Sequence, residues 1–260
     1  MLTNILIISA SVSAAVLILR LFAPLTDRKF RVAWRYYLLL LLAVRLLIPV
    51  RFELPNAPIQ VPLLHSDFQT NIGAKQSEPP VFAEQETSPA AEQKPIAAAP
   101  APKVIHWNTV FLWIWALGAA VCFLAHIISY ITFMHALSKD RKILEKRGRI
   151  LICTSPMVDS PLLIGYLHPC IMLPQNMLNE AETEQVISHE LAHYRRGDLW
   201  AKLLLCAAVS MHWFNPVIHY MVRITARDME YSCDDSVLGK QDSAYRKSYA
   251  ETMLKMIKSR

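Results

Sequence analysis

His189-Glu190-Leu191-Ala192-His193 is the stretch that decides how the second half of this chain folds. Two histidines four residues apart lie one turn apart on the same face of an α-helix, so both imidazoles are able to bind one Zn²⁺ ion. The glutamate beside the first histidine is then placed to act as general base on an attacking water. So short a motif also arises by chance on surface helices, and the flanking sequence has to supply the helix and a third ligand.

The flanking sequence predicts that helix. A helix is expected from about Glu180 to Arg196, because Asn179 is a good N-cap with an acidic residue three positions later, and Gly197 follows the last helical turn. Upstream, Ile150–Cys153 and Leu162–Leu173 are apolar and are punctuated by proline and glycine, which is typical of short strands.

A catalytic zinc site needs a third protein ligand and an open position. Gly197 is not followed by a histidine at metzincin spacing, so a glutamate on a second helix is the alternative. Glu230 is the predicted third ligand, and Asp234, one helical turn later, is predicted to accept a hydrogen bond from a ligand imidazole N–H. Asp228 and Asp235 are weaker ligand candidates, and a solvated acidic face is the competing interpretation.

The composition indicates a membrane protein. Hydrophobic residues make up 53% of the 260 residues and charged residues only 18%, whereas soluble domains average about 25% charged. The apolar residues are gathered into runs near the length of about 20 residues that a helix needs to cross a bilayer. We predict three spans, at Leu2–Leu19, at Tyr36–Val50 with Arg45 inside it, and at His106–Ser138.

The basic residues predict the orientation of these spans, because loops rich in Lys and Arg stay in the cytosol. Residues 20–35 hold five basic residues and one acidic residue, and residues 139–149 hold six and two. Residues 51–106 hold four basic and six acidic residues. The N-terminus and residues 51–106 are therefore expected outside the cell. Topology also explains the net charge of +6, so no direct nucleic-acid binding is expected.

Residues 51–106 contain nine of the sixteen prolines, which predicts a flexible extracytoplasmic loop without a core. The five cysteines all lie outside this loop and form no Cys-x-x-Cys pair, so reduced thiols are expected rather than a zinc ribbon.

The uncharged run Leu203–Val222 poses a topological problem for the proposed ligands. If it crossed the membrane once, Glu230 would lie on the opposite side from the histidines. Asn215-Pro216 breaks the run into two helical pieces too short to span. We predict a membrane-associated helical hairpin over about residues 199–226, in which His212 and His219 are packing residues rather than ligands.

Together these residues resemble the BlaR/MecR-type membrane zinc metallopeptidases, the β-lactam-sensor and antirepressor group. The resemblance covers most of the chain outside residues 51–106. It rests on the three apolar spans, Ser160-Pro161-Leu162-Leu163-Ile164-Gly165 running to Ile171-Met172-Leu173-Pro174, the His189–His193 motif, Asn215-Pro216, and Glu230-Tyr231-Ser232-Cys233-Asp234.

The resemblance implies a mainly α membrane protein with a small α+β zincin-like (gluzincin) cytosolic protease domain. It divides the chain into two spans with a basic loop (1–50), the outer loop (51–106), a third span (107–138) and the zinc peptidase domain (139–260). It also implies that His189, His193 and Glu230 bind Zn²⁺ and that Glu190 is the catalytic acid/base. The implied role is signal transduction in antibiotic resistance, by cleavage of the protein itself or of a cytosolic repressor; the oligomeric state is left open.

Sensor members of this group continue into an extracellular penicillin-binding domain, but this chain ends at Arg260 and contains no Ser-x-x-Lys. We therefore expect this chain, which stops before any penicillin-binding domain, not to sense β-lactams itself. Three interpretations stay open: a fragment of a longer sensor, a truncated paralogue, and a protease module with a different trigger. Two other functions stay open, a housekeeping membrane protease like the CAAX-prenyl-protease group and a non-catalytic transducer held together by zinc. Tyr231 and Arg227 are candidates for stabilising the oxyanion.

Overall fold

The apolar runs near the start of the chain form α1 (Leu2–Thr26), α2 (Val32–Leu47) and α3 (Trp107–Lys139). The structure is a computed structural model and describes residues 2–26, 32–48, 107–175, 179–239 and 241–258. Two of the helices, over Leu2–Pro24 and Trp107–Lys139, are long and apolar enough to cross a membrane. The shorter α2, with 16 residues, is not one of them, so the second span stays a prediction.

The surface of α3 is apolar along most of its length. Its exposed side chains include Trp107, Phe111, Trp113, Ile114, Leu117, Leu124, Ile128 and Ile131. Soluble monomers rarely expose so continuous an apolar surface, whereas the acyl chains of a bilayer would cover it. The predicted basic loop, residues 20–35, is shorter than expected, because α1 extends to Thr26 and α2 begins at Val32. Residues 27–31 and the predicted outer loop (51–106) lie outside the described residues.

A four-stranded sheet follows α3, with strands β1 (Lys142–Arg147), β2 (Ile150–Ser155), β3 (Leu162–Ile164) and β4 (Cys170–Pro174). Its order is β1-β2-β4-β3, and β2 and β4 run parallel while the outer pairs are antiparallel. The predicted strand at Leu162–Leu173 is thus two strands joined by a turn. β1 was not predicted, because its residues are mostly charged and exposed.

Alternation along the strands gives the sheet two different apolar faces. One face, including Ile152 and Ile171, packs against the next helix of the chain, α4 (Glu180–Arg196). The other face, including Cys153 and Met172, packs against Leu137 at the end of α3. The sheet is therefore held between α4 and the end of α3.

Helix α4 has the limits that the sequence predicted. Asn179 accepts a hydrogen bond from the backbone N–H of Glu182, and the Glu182 carboxylate accepts one from the Asn179 N–H, which completes a capping box. Gly197 ends the helix at φ 74°, a left-handed conformation that glycine adopts without a steric penalty. The chain therefore turns sharply here and starts a new helix at the next residue.

Three further helices complete the chain, α5 (Asp198–Met211), α6 (Pro216–Leu238) and α7 (Ser243–Lys258). The break between α5 and α6 falls at Asn215-Pro216, as predicted, and Pro216 takes the first helical position, where its missing N–H costs nothing. α7 lies along α4, where Gln185 exchanges hydrogen bonds with Ser248 and Thr252.

The α5–α6 hairpin packs into the bundle of N-terminal helices. One apolar core contains residues from α1, α2, α5 and α6, among them Val16, Leu39, Leu205 and Met221. At the base of the hairpin, Asp198 contacts Tyr36 of α2. At its tip, His212 contacts the carbonyl oxygen of Leu46, ten residues or about 15 Å further along α2. His212 is thus a packing residue, as predicted.

Polar contacts fix the tip of the hairpin within this apolar bundle. The Asn215 side-chain oxygen accepts a hydrogen bond from the N–H of Val217, and its NH₂ group donates to the hydroxyls of Ser9 and Ser13 on α1. Trp115 of α3 donates its indole N–H to the Met211 carbonyl. Asn215 thus caps α6 and also attaches the turn to α1.

We predict that Asn215→Ala lowers the free energy of unfolding by about 1–3 kcal/mol, because it removes an N-cap and two hydrogen bonds between helices. Thermal unfolding in detergent measures the change. Ser11→Ala is the matched control, because the Ser11 hydroxyl bonds the Ile8 carbonyl of its own helix. Equal melting temperatures for Asn215→Ala and the control contradict the assigned role.

Candidate metal centre

Two helices bring three candidate metal-binding side chains together. α4 carries His189 and His193 one turn apart, and their Nε2 atoms lie 3.1 Å from each other. Oε2 of Glu230, on α6, lies 3.3 Å from Nε2 of His193 and 3.5 Å from Nε2 of His189. The hairpin has therefore returned Glu230 to the end of the bundle where the histidines lie.

These three separations fit one Zn²⁺ ion. Tetrahedral ligands at zinc distances of about 2.0–2.2 Å lie about 3.4 Å from one another, and the three observed separations are close to that value. Two imidazole nitrogens and one carboxylate oxygen are also the donor set of zinc enzymes that keep one position open. The residues present thus fit a catalytic zinc ion by both chemistry and spacing.

A buried carboxylate orients His193. Nδ1 of His193 lies 2.7 Å from Oδ2 of Asp198, the first residue of α5, and both side chains are buried. A carboxylate only accepts hydrogen bonds, so the imidazole carries its proton on Nδ1 and donates it to Asp198. Nε2 then faces Glu230, and its lone pair is available to a metal once this nitrogen has lost its proton.

A tyrosine and a carboxylate together orient His189. The Tyr249 hydroxyl of α7 donates its single proton to Oδ1 of Asp234, at 2.7 Å, and lies 2.7 Å from Nδ1 of His189. Its oxygen therefore accepts the Nδ1–H of the histidine. Oδ1 of Asp234 also lies 3.2 Å from the same nitrogen. Asp234 thus lies beside the imidazole of His189, and its role in orienting a metal ligand stays a prediction.

Charge at the cluster is balanced between the imidazoles and the carboxylates. Burial lowers the pKa of His189, but hydrogen bonds to Asp234 and Glu230 outweigh burial and raise the pKa to about 10. Burial also lowers the pKa of His193, but hydrogen bonding, chiefly to Asp198, outweighs burial and raises this pKa. Burial raises the pKa of Glu230, but the two histidines outweigh it and hold that pKa well below its usual range. Metal binding here therefore displaces protons, and it is favoured by rising pH.

Glu190 follows His189 in the sequence. It is buried, with only 8% of its surface exposed. Burial raises the pKa of its carboxyl, and the charges on His189 and His193 offset part of that effect. A general base works best when its pKa approaches the working pH. Burial therefore suits Glu190 to the role that the motif predicts.

Cys233 adds a thiol to the cluster, and this residue was not among the predicted ligands. Its sulfur lies with donor atoms of His189 and His193 in a group whose members are all within 4.8 Å of one another. The thiol is fully buried and contacts the His189 carbonyl oxygen at 3.5 Å. Cys233 lies one helical turn after Glu230 on α6, and this spacing is the feature of the sequence that indicates a second donor on the same helix face.

The other sequence candidates are Asp228, Asp235, Tyr231 and Arg227, all on α6. Asp228 forms a buried, bidentate ion pair with Arg35 of α2, so its oxygens are already engaged. It is two residues from Glu230, and residues at that spacing do not share a helix face. Asp235, Tyr231 and Arg227 are exposed on α6. Ligation by Asp228 is therefore excluded by its ion pair.

A His-Glu-x-x-His helix joined by a glutamate from a second helix defines the metallopeptidase class of zinc sites. The family model described as BlaR1 peptidase M56 matches residues 1–260. The chain belongs to this family, as the resemblance predicted.

Curated relatives agree with this family. The chain is 29% identical over 166 residues to the regulatory protein BlaR1 of Bacillus licheniformis. It is 27% identical over 165 residues to the methicillin resistance mecR1 proteins of Staphylococcus aureus and Staphylococcus epidermidis. These matches cover 57% and 56% of this chain and 28% of each relative. The matched region is thus little more than a quarter of each relative.

We predict that Glu230→Ala severely weakens zinc binding, because it leaves two imidazoles as the main ligands. Asp234→Asn should weaken binding about 10–100-fold, because it acts through His189. Titration of the full chain in detergent against a zinc chelator measures both effects. Glu251→Ala, which removes an exposed carboxylate from α7, is the matched control. Wild-type affinity in Glu230→Ala would show that this ligand is misassigned.

Proposed function

We propose that this chain is an integral-membrane zinc endopeptidase of the BlaR/MecR type that acts in signal transduction. The observation that carries the proposal is the convergence of His189, His193 and Glu230 beside the buried Glu190. The relatives' names, a regulatory protein and methicillin resistance proteins, support a regulatory role in antibiotic resistance. The proposed substrate is the chain itself or a cytosolic repressor.

The proposed reaction is hydrolysis of a peptide bond. When bound, Zn²⁺ supplies a Lewis acid that polarises the scissile carbonyl and activates water. Glu190 takes a proton from the attacking water onto its carboxylate as the C–O bond forms. It then delivers this proton to the leaving amine nitrogen as the C–N bond breaks. Asp198 and Tyr249 hold the imidazoles in the tautomer that keeps both Nε2 atoms turned inward.

The edge of the sheet next to α4 is the proposed binding surface for the substrate backbone. β3 packs against α4 and pairs with β4 on one side. Among the described residues, no further strand pairs with the other side of β3. An extended peptide would add to this edge by main-chain hydrogen bonds and so lie beside the metal centre.

The proposed location of this centre is the cytosolic face of the cell membrane. Near the start of α2, Arg35 contacts Asp228 on α6, the helix of Glu230, and Tyr36 contacts Asp198, the hydrogen-bond partner of His193. In the sequence, the basic segment 20–35 covers the end of α1 and the start of α2, where Arg35 and Tyr36 lie. The basic segment 139–149 follows α3. The positive-inside rule then supports a cytosolic active site.

We predict that Glu190→Gln keeps stoichiometric zinc but lowers proteolysis by at least about 10²–10⁴-fold, because the amide cannot accept the proton. Zinc content by elemental analysis and self-cleavage fragments of the full chain provide the two measurements. Glu180→Gln, at an exposed position on the same helix, is the control. Undiminished cleavage by a zinc-loaded Glu190→Gln protein would refute the assignment.

We predict that a cysteine at position 145 is labelled in intact cells only by a membrane-permeant reagent, whereas one at position 85 is also labelled by an impermeant reagent. Glu145→Cys and Gln85→Cys are made in a chain whose five natural cysteines have been replaced. The basic flank at residues 139–149 motivates the expectation. Impermeant labelling of position 145 would reverse the topology.

Cys233 supports one competing function, a non-catalytic transducer that zinc only stabilises. A fourth protein ligand closes a zinc site and leaves no open position. The buried thiol close to both imidazoles is the group able to do this. Cobalt substitution distinguishes the two functions, because a thiolate ligand adds a charge-transfer absorption that Cys233→Ser removes. Absence of that absorption supports the open, catalytic site.

A further inference from the structure

Two adjacent side chains of α2 contact carboxylates close to the candidate metal ligands, Tyr36 at the start of α5 and Arg35 on α6. The Tyr36 hydroxyl donates to Oδ1 of Asp198 at 2.8 Å, while Oδ2 of the same carboxylate accepts from Nδ1 of His193 at 2.7 Å. Tyr36 is 2% exposed and Asp198 is 1% exposed. A single carboxylate thus connects the N-terminal bundle directly to one metal-binding imidazole.

Arg35 makes the corresponding contact with the other helix. Its Nε and one terminal nitrogen lie 2.6 Å from the two carboxylate oxygens of Asp228. Asp228 is fully buried and precedes Glu230 by two residues on α6. Consecutive residues of a helix point about 100° apart, so Arg35 and Tyr36 reach two different helices from one turn of α2.

Stability alone does not explain these contacts. A buried ion pair loses so much hydration that well-packed apolar residues of the same size often stabilise a protein equally well. What the charged and polar groups add is directional hydrogen bonding, which defines the position of each helix relative to α2. Both connections end within two residues of a metal ligand or on the ligand itself.

We propose that α2 positions the metal centre, with Tyr36 acting on His193 through Asp198 and with Arg35 acting on Glu230 through Asp228. A displacement of α2 then changes the orientation of the His193 imidazole and its distance from the Glu230 carboxylate. Tyr36 and Arg35 are positioning residues, because neither touches the metal. The inference rests on the proposed function in that the donor set is taken to bind zinc.

Tyr36→Phe in the full chain tests this proposal, because it keeps the ring and its contact with Arg196 and removes only the hydroxyl. We expect the zinc dissociation constant, measured by chelator competition in detergent, to rise about 10-fold. The visible spectrum of the cobalt-substituted protein should also change. Tyr37→Phe is the matched control, since Tyr37 is the next residue and is 56% exposed.

A double-mutant cycle separates positioning from general destabilisation. If Tyr36 acts through Asp198, the double variant Tyr36→Phe/Asp198→Asn binds zinc no more weakly than Asp198→Asn alone. Additive losses, or equal losses in Tyr36→Phe and Tyr37→Phe, overturn the proposal. Arg35→Lys, which keeps the charge but not the bidentate geometry, tests the second connection against Arg45→Lys on the same helix.

The outcomes also separate this inference from the proposed function. Wild-type zinc affinity in Tyr36→Phe and Arg35→Lys overturns the positioning role and leaves the peptidase assignment intact. Weakened zinc binding in these variants, together with full cleavage by Glu190→Gln, supports the positioning role and overturns the peptidase mechanism. A wild-type chain that binds no zinc overturns both.

Discussion

The hydrogen bonds of Asn215 are the constraint on which the rest of the structure depends. The two halves of the donor set are separated by an apolar stretch, and they meet only if that stretch turns back. Asn215 caps α6 and anchors the turn to Ser9 and Ser13 of α1. In an apolar surrounding those groups have few other partners, so the turn is strongly specified. The separation of 3.3 Å between His193 and Glu230 follows from this reversal.

Orientation of the imidazoles is a second requirement, and each histidine meets it differently. His193 donates directly to the buried Asp198, whereas His189 donates to the Tyr249 hydroxyl, which is itself held by Asp234. The first arrangement is buried and is connected to α2 through Tyr36. The second is more exposed and depends on Tyr249 of α7. The two histidines are therefore oriented by different helices.

Local sequence predicted the parts of the site that depend on one segment. The capping box at Asn179, the end of α4 at Gly197 and the break at Asn215-Pro216 each follow from the chemistry of a few neighbouring residues. The roles of Asp198 and Arg35 depend on contacts across the chain, which no local periodicity encodes. In the sequence, Arg35 is only one of the basic residues that predict the membrane topology. In the structure it is buried and paired with Asp228, 193 positions away.

The same long-range contacts show that the peptidase half is not a separate folding unit. Residues 1–51 and 107–260 group together as one compact unit. Without α2, the buried carboxylates of Asp198 and Asp228 would each lose a partner, and breaking a buried ion pair costs about 3–5 kcal/mol. That loss is comparable to the whole stability of many proteins, about 5–15 kcal/mol. The N-terminal helices are therefore part of the framework of the candidate metal centre, and this is the physical basis for the proposal that α2 positions its ligands.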